Sequence, residues 1–137
     1  MSQDRIRTAL ETVLSTWAAA QSPAIPVAWE NVEFTQPEGR YLRAFLLPAQ
    51  TISADIGRAN RRYAGVFQVS VVMPLGDGPV PAEVIVASLA ALFPPATPIV
   101  QSGLTVWIKD PLSPSPAITE RDRYRIPCSL SYLADTY

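Results

Sequence analysis

At 137 residues with 48% hydrophobic and 17% charged side chains, the chain has the length of one domain and enough apolar content for a core, which excludes global disorder. It contains no histidine, so imidazole bases, Ser-His-Asp or Cys-His nucleophile activation and His-ligated zinc are all excluded. Eleven basic against twelve acidic residues give a net charge of -1, so any nucleic-acid or anionic-lipid contact must come from a local patch, not from the molecule as a whole.

Ile6, Leu10, Val13, Leu14 and Trp17 recur at spacings of three and four, which predicts a helix from about residue 3 that stops before Gln21-Ser22-Pro23. The opening residues lead into this amphipathic segment, so no signal peptide and no membrane span are expected. From Ile25 to Phe34, β-formers alternate with polar groups ahead of a Gln36-Pro37-Glu38-Gly39 turn, as in a short edge strand. Tyr41 to Leu47 is apolar on both faces and is expected to be central.

Between Ala49 and Ala64 periodicity is lost, and the segment reads as a long loop or an extended hairpin tip carrying Arg58, Arg61 and Arg62. Gly65 to Pro74 is the strongest strand, with Phe67, Val69, Val71 and Met73 on one face, and it ends in the Leu75-Gly76-Asp77-Gly78-Pro79 turn cluster. Pro81-Ala82-Glu83 opens a second helix running to Phe93 with hardly any polar face, which predicts burial against a sheet or another subunit. Leu104 to Ile108 reads as a strand, and Pro111, Pro114 and Pro116 mark 110–117 as an extended, exposed connection. Tyr124 to Tyr132 alternates as a last strand, in which Pro127 points to an edge position or a bulge. The fold class is therefore α+β: one domain over 1–137, a mainly antiparallel sheet packed by two helices.

Chemistry-bearing motifs are few. Gly76-Asp77-Gly78 lacks both the Lys-Ser/Thr of a P-loop and the third glycine of a dinucleotide fingerprint. Cys128, the single cysteine, lies on the apolar side of its strand, as a small hydrophobe does, and permits no internal disulfide. Glu30 and Glu33 fall on opposite faces of a regular strand. Glu120 and Asp122 alternate with Arg121, Arg123 and Arg125 as salt-bridged surface rows, or as a strip facing a neighbouring copy. Arg58, Arg61 and Arg62 could neutralise phosphates without reading bases, or sit on a solvated hairpin tip. No cofactor or metal set emerges.

The runs Pro26-Val27-Ala28-Trp29-Glu30-Asn31-Val32-Glu33-Phe34, Leu46-Leu47-Pro48-Ala49, Gly65 through Gly78 and Ile126-Pro127-Cys128-Ser129-Leu130-Ser131-Tyr132 resemble a phage-related family of small tail proteins. That family is similar to the tail terminator and tail completion proteins of long-tailed phages of the lambda type. The resemblance implies a non-enzymatic subunit of the virion tail, present in the bacterial host cytoplasm during assembly, that forms a ring with copies of itself, a hexamer. Such a ring caps the tail tube protein and meets the head-tail connector protein. In that picture Arg58, Arg61 and Arg62 are a candidate channel or DNA-facing loop, with non-specific DNA contact, and Arg121, Arg123 and Arg125 a candidate subunit-interface strip. A neck or head-completion component and a nucleic-acid-binding accessory module are the alternatives.

Overall fold

The first helix, α1 (Gln3–Ala19), turns Ile6, Leu10 and Leu14 fully inward, and Ala9 and Ala18 join them, so Val13 and Trp17 lie at the margin of the stripe and are only partly covered. The computed structural model describes residues 3–49, 52–53, 61–96, 98–101 and 104–136. After α1 the Ile25 amide donates back to the Ala18 carbonyl at 3.0 Å, which folds the chain toward the sheet.

The predicted edge strand survives only as β1 (Val27–Ala28), which runs parallel to β2 (Tyr41–Pro48). Its alternating pattern is cut short because the chain turns at once: Val32 N–H donates to the Trp29 carbonyl at 3.3 Å, and Asn31 takes the left-handed φ of 55° that asparagine tolerates better than most residues. β2 lies inside the sheet between β1 and β4, as expected, with Tyr41 buried on its second face. Leu42, Ala44 and Leu46 are buried on one face, whereas Arg43 and Leu47 on the other are exposed.

Of the two readings of 49–64, a long loop or an extended hairpin tip, the described residues fit the hairpin. β3 (Ile52–Ser53) pairs with the start of β4 (Arg61–Pro74), so Arg61 and Arg62 belong to a hairpin and not to an unpatterned segment. β4 leads through a Gly76–Gly78 turn, both glycines at positive φ, into α2 (Val80–Leu92), where prolines at the first turn suit the missing amide partners. β5 (Ile99–Gln101) and β6 (Leu104–Pro114) follow as a hairpin, then β7 (Ile118–Glu120) and β8 (Arg123–Thr136) as another.

Strands line up as β1-β2-β4-β8-β6-β5, with β3 on β4 and β7 on β8, and every pair except β1/β2 is antiparallel. Phe67, Val69 and Val71 of β4, Cys128, Leu130 and Tyr132 of β8, and the inner stripes of both helices form one buried cluster. Phe93 just beyond α2 meets Phe67 edge to face at 5.9 Å. Both helices therefore cover the same sheet face, and the α+β class read from the sequence is the fold observed.

Two expectations about proline require correction. β8 is central, not an edge, and Pro127 sits within it opposite Ser70 of β4. Its carbonyl accepts from Ser115 N–H at 2.7 Å on the far side from β4, and a strand residue turns its nitrogen the same way. The missing donor thus faces the end of the β6 ladder, where register shifts between Ile108 and Ser113 have already broken regular pairing. Residues 110–117 are extended and, Leu112 apart, exposed as expected, but 110–114 are strand and not a connection. They continue β6 through those irregularities, with Leu112 buried, while Pro111 and Pro114 sit where the outer side of β6 lies beyond the reach of β5.

Candidate functional site

Glu30 replaces a missing strand. Beyond Ala28 the outer edge of β2 has no further β1 partner, and Glu30 Oε1 accepts the Leu46 amide there while also receiving Arg7 Nη1 at 3.0 Å. Arg7 additionally pairs with Glu11 at 3.2 Å one turn along α1, so this cluster ties helix to sheet edge. Burial alone would raise the Glu30 carboxyl, but the Leu46 amide and the Arg7 guanidinium outweigh it and hold the group below its ordinary value of 4.5. The same guanidinium acts on Tyr132, whose hydroxyl burial pushes up to about 12 against the opposing pull of Arg7. An open cleft of about 750 Å³ runs beside the cluster, between α1 and the 29–32 turn.

A depressed carboxyl contributes stability above its unfolded pKa and loses it as pH falls through the folded value. Glu30→Gln is therefore expected to be less stable than the parent above about pH 5, with the gap in urea midpoint closing in stronger acid. A gap that stays constant down to pH 2 or 3 would show that the charge on Glu30 contributes nothing.

The arginine strip predicted at the last strand is divided by a turn. Arg121, at φ 39°, and Asp122 form the β7–β8 corner, so Glu120 and Arg123 face each other across a hairpin and do not alternate along one strand. Arg125 Nη2 pairs with Glu120 at 2.8 Å, and Arg121 is exposed. Arg123 is turned inward. Its Nη1 donates to the carbonyls of Glu38 at 3.2 Å and Gly39 at 2.9 Å, and its Nη2 to that of Pro37 at 2.7 Å. With the Gln36 amide oriented to satisfy both groups, its oxygen accepts from Nη2 and Nε at 3.0 and 2.8 Å. All five guanidinium donors are then engaged by 36–39, and the group also lies over the Tyr41 ring at 5.8 Å. Sequence spacing could not show that this one arginine of the three is a fold clamp.

Arg58 lies outside the described residues. Arg61 and Arg62 stand in register with Ser53 and Ile52 on one side and Thr136 and Asp135 on the other, and Arg62 is exposed. Cys128 is fully buried, and burial pushes its thiol up to about 11, so it is protonated at neutral pH. Glu33 is exposed and apart from the Glu30 cluster. Among the described residues no group of three or more His, Cys, Asp or Glu could hold a metal, and no helix is long and apolar enough to cross a membrane.

The second helix is where sequence reading was half right. Ala82, Ile85, Val86 and Leu89 are buried on the sheet, but Val80 and Val84 remain 65% and 60% exposed, with Ala87 and Ala91 continuing their stripe. On the sheet face away from the helices, Phe34 packs on Tyr41 at 5.2 Å and the clamped 36–39 turn covers one end. At the other end Leu47 is 49% and Trp107 43% exposed, and no described segment is packed over them.

Polar side chains such as Glu30 and Arg123 are thus committed to the fold's own edges and turns, while apolar residues of α2 and of the reverse sheet face are exposed. The family described as phage tail terminator protein matches residues 5–132, and the chain belongs to that family. It is a structural phage tail protein of the virion tail, from a family that interacts with other tail or head proteins. A solved structure that carries no functional name is 48% identical over 100% of this chain and 98% of that one, with a TM-score of 0.86. No curated protein matches the chain.

Proposed function

We propose that this protein assembles with copies of itself into a ring, a hexamer, that caps the tail tube and joins it to the head-tail connector, acting by binding alone, with assembly taking place in the host cytoplasm. The observation that carries the reading is α2: one charged residue in thirteen, and two valines more than half exposed on the side away from the core. A helix face of that composition gains by being covered, and a family of tail-assembly proteins supplies the partners. Arg58, Arg61 and Arg62 belong, in this proposal, to the channel side, where guanidinium groups contact passing DNA without reading its sequence.

Purified protein added to tail tubes that lack it is expected to place a disc at one end of each tube in negative-stain images and to stop further lengthening. Tubes that stay open and keep growing would overturn the reading. Replacing Arg58, Arg61 and Arg62 together with serine is expected to leave discs intact while lowering the yield of joined heads and tails. An unchanged yield would make the segment a spacer.

A further inference from the structure

The exposed stripe of α2 and the uncovered end of the sheet lie on opposite sides of the molecule. The stripe consists of Val80, Val84, Ala87 and Ala91, on the outer side of a helix that covers one sheet face. The second patch is built by register on the reverse face: Leu47 beside Val66 across β2 and β4, and Trp107 beside Leu133 across β6 and β8. All four alternate with residues of the core, and none belongs to the buried cluster. Two unlike apolar surfaces on opposite sides suit head-to-tail contact, which gives a ring when the rotation closes.

Charge selects the same pairing. Residues 74–108, which include the whole of α2, contain Asp77 and Glu83 and no basic residue. The reverse sheet face is edged by exposed Arg43 and by Lys109, two positions along β6 from Trp107, with Asp110 the acid beside it. Stripe against stripe would pair two surfaces whose nearest charges are acids alone. Stripe against sheet sets acids near bases.

We propose that copies of this chain bind head to tail, the outer stripe of α2 on one copy seating on the uncovered end of the helix-free sheet face of the next. This assigns the partner of both surfaces as a second copy of the chain, and it rests on the ring reading above.

The test blocks one surface at a time. Val84→Asp spoils the stripe and Leu47→Asp the sheet face, and both side chains are exposed, so each variant is expected to keep the parent's circular dichroism and melting transition. Trp107→Glu serves as a second block of the sheet face. Each variant alone is expected to lose self-association by about tenfold or more and to fail to cap tubes. Mixed one to one, Val84→Asp and Leu47→Asp are expected to form a heterodimer that grows no further in native mass spectrometry, since only one complementary pair of surfaces remains intact.

Homodimers of Leu47→Asp would instead show stripe-to-stripe contact, and homodimers of Val84→Asp sheet-to-sheet contact; either overturns the proposal. Parent-like discs from both variants on tube ends would place contact elsewhere, overturning this pairing while leaving the ring in place. A parent protein that neither self-associates nor caps tubes overturns the ring reading, and this pairing with it.

Discussion

Replacing Gly65 with alanine is expected to destabilise the fold by about 3 kcal/mol, seen as a urea midpoint lower by about 1 to 2 M. A Cβ at this position would stand 2.6 Å from the Leu47 carbonyl oxygen, 2.6 Å from the Tyr132 hydroxyl oxygen and 2.8 Å from its ring carbon. Gly65 is the residue directly opposite Tyr132 in the β4–β8 pair, so the ring lies across the space a side chain would fill. Tyr132 is itself nearly inaccessible in the core, and Leu47 O belongs to the neighbouring strand, so neither can yield without moving the sheet. Adding Tyr132→Phe to the alanine variant removes one of the three close atoms and leaves the carbonyl, so stability is not expected to return. A midpoint equal to the parent's would show that the strands separate more easily than this packing allows.

Arg123→Ala is expected to cost about 2 kcal/mol and to expose 36–39 to hydrogen exchange while the central strands keep their protection. The substitution abandons the carbonyls of Pro37, Glu38 and Gly39 and the Gln36 amide at once. That cost is tempered because the carbonyls of an exposed turn can turn to water. Arg123→Lys is expected to restore little, since a point ammonium cannot match a planar fork of five donors. The measurement also separates two roles for this side chain. A residue serving an interface between copies would leave the monomer's exchange pattern untouched and weaken only assembly.

Secondary structure was legible where periodicity is local. The inward stripe of α1 and the alternation of Phe67, Val69, Val71 and Met73 are set by neighbours three, four or two positions apart, and they appear in the fold as read. Where pairing was non-local the reading failed. Pro127 argued for an edge or a bulge because a proline cannot donate, yet β8 is central and the proline nitrogen faces a stretch where the adjacent ladder has ended. The segment of Ile52–Ser53 and Arg61–Arg62 carries no hydrophobic alternation, so the sequence allows a loop or an extended hairpin tip, and strand pairing decides for the hairpin. In the arginine strip, Arg121, Arg123 and Arg125 are equivalent by spacing, but the corner at Arg121–Asp122 gives them a free, a clamped and a paired role.

By itself the sequence determined the class of protein. The short motifs carry the resemblance to the family, and the apolar periodicities carry the α+β class. These are properties of composition and short-range order, which need no knowledge of distant partners. Tertiary structure alone decided which apolar residues are spent inside and which remain outside. Val84 and Ile85 are adjacent and equally hydrophobic, yet one is 60% and the other 5% exposed. Successive helix residues point about 100° apart, and the packing of α2 on β4 and β6 decides which of its sides is covered. The apolar content noted at the outset is thereby divided into a buried portion that holds the fold and an exposed portion on α2 and on the reverse sheet face.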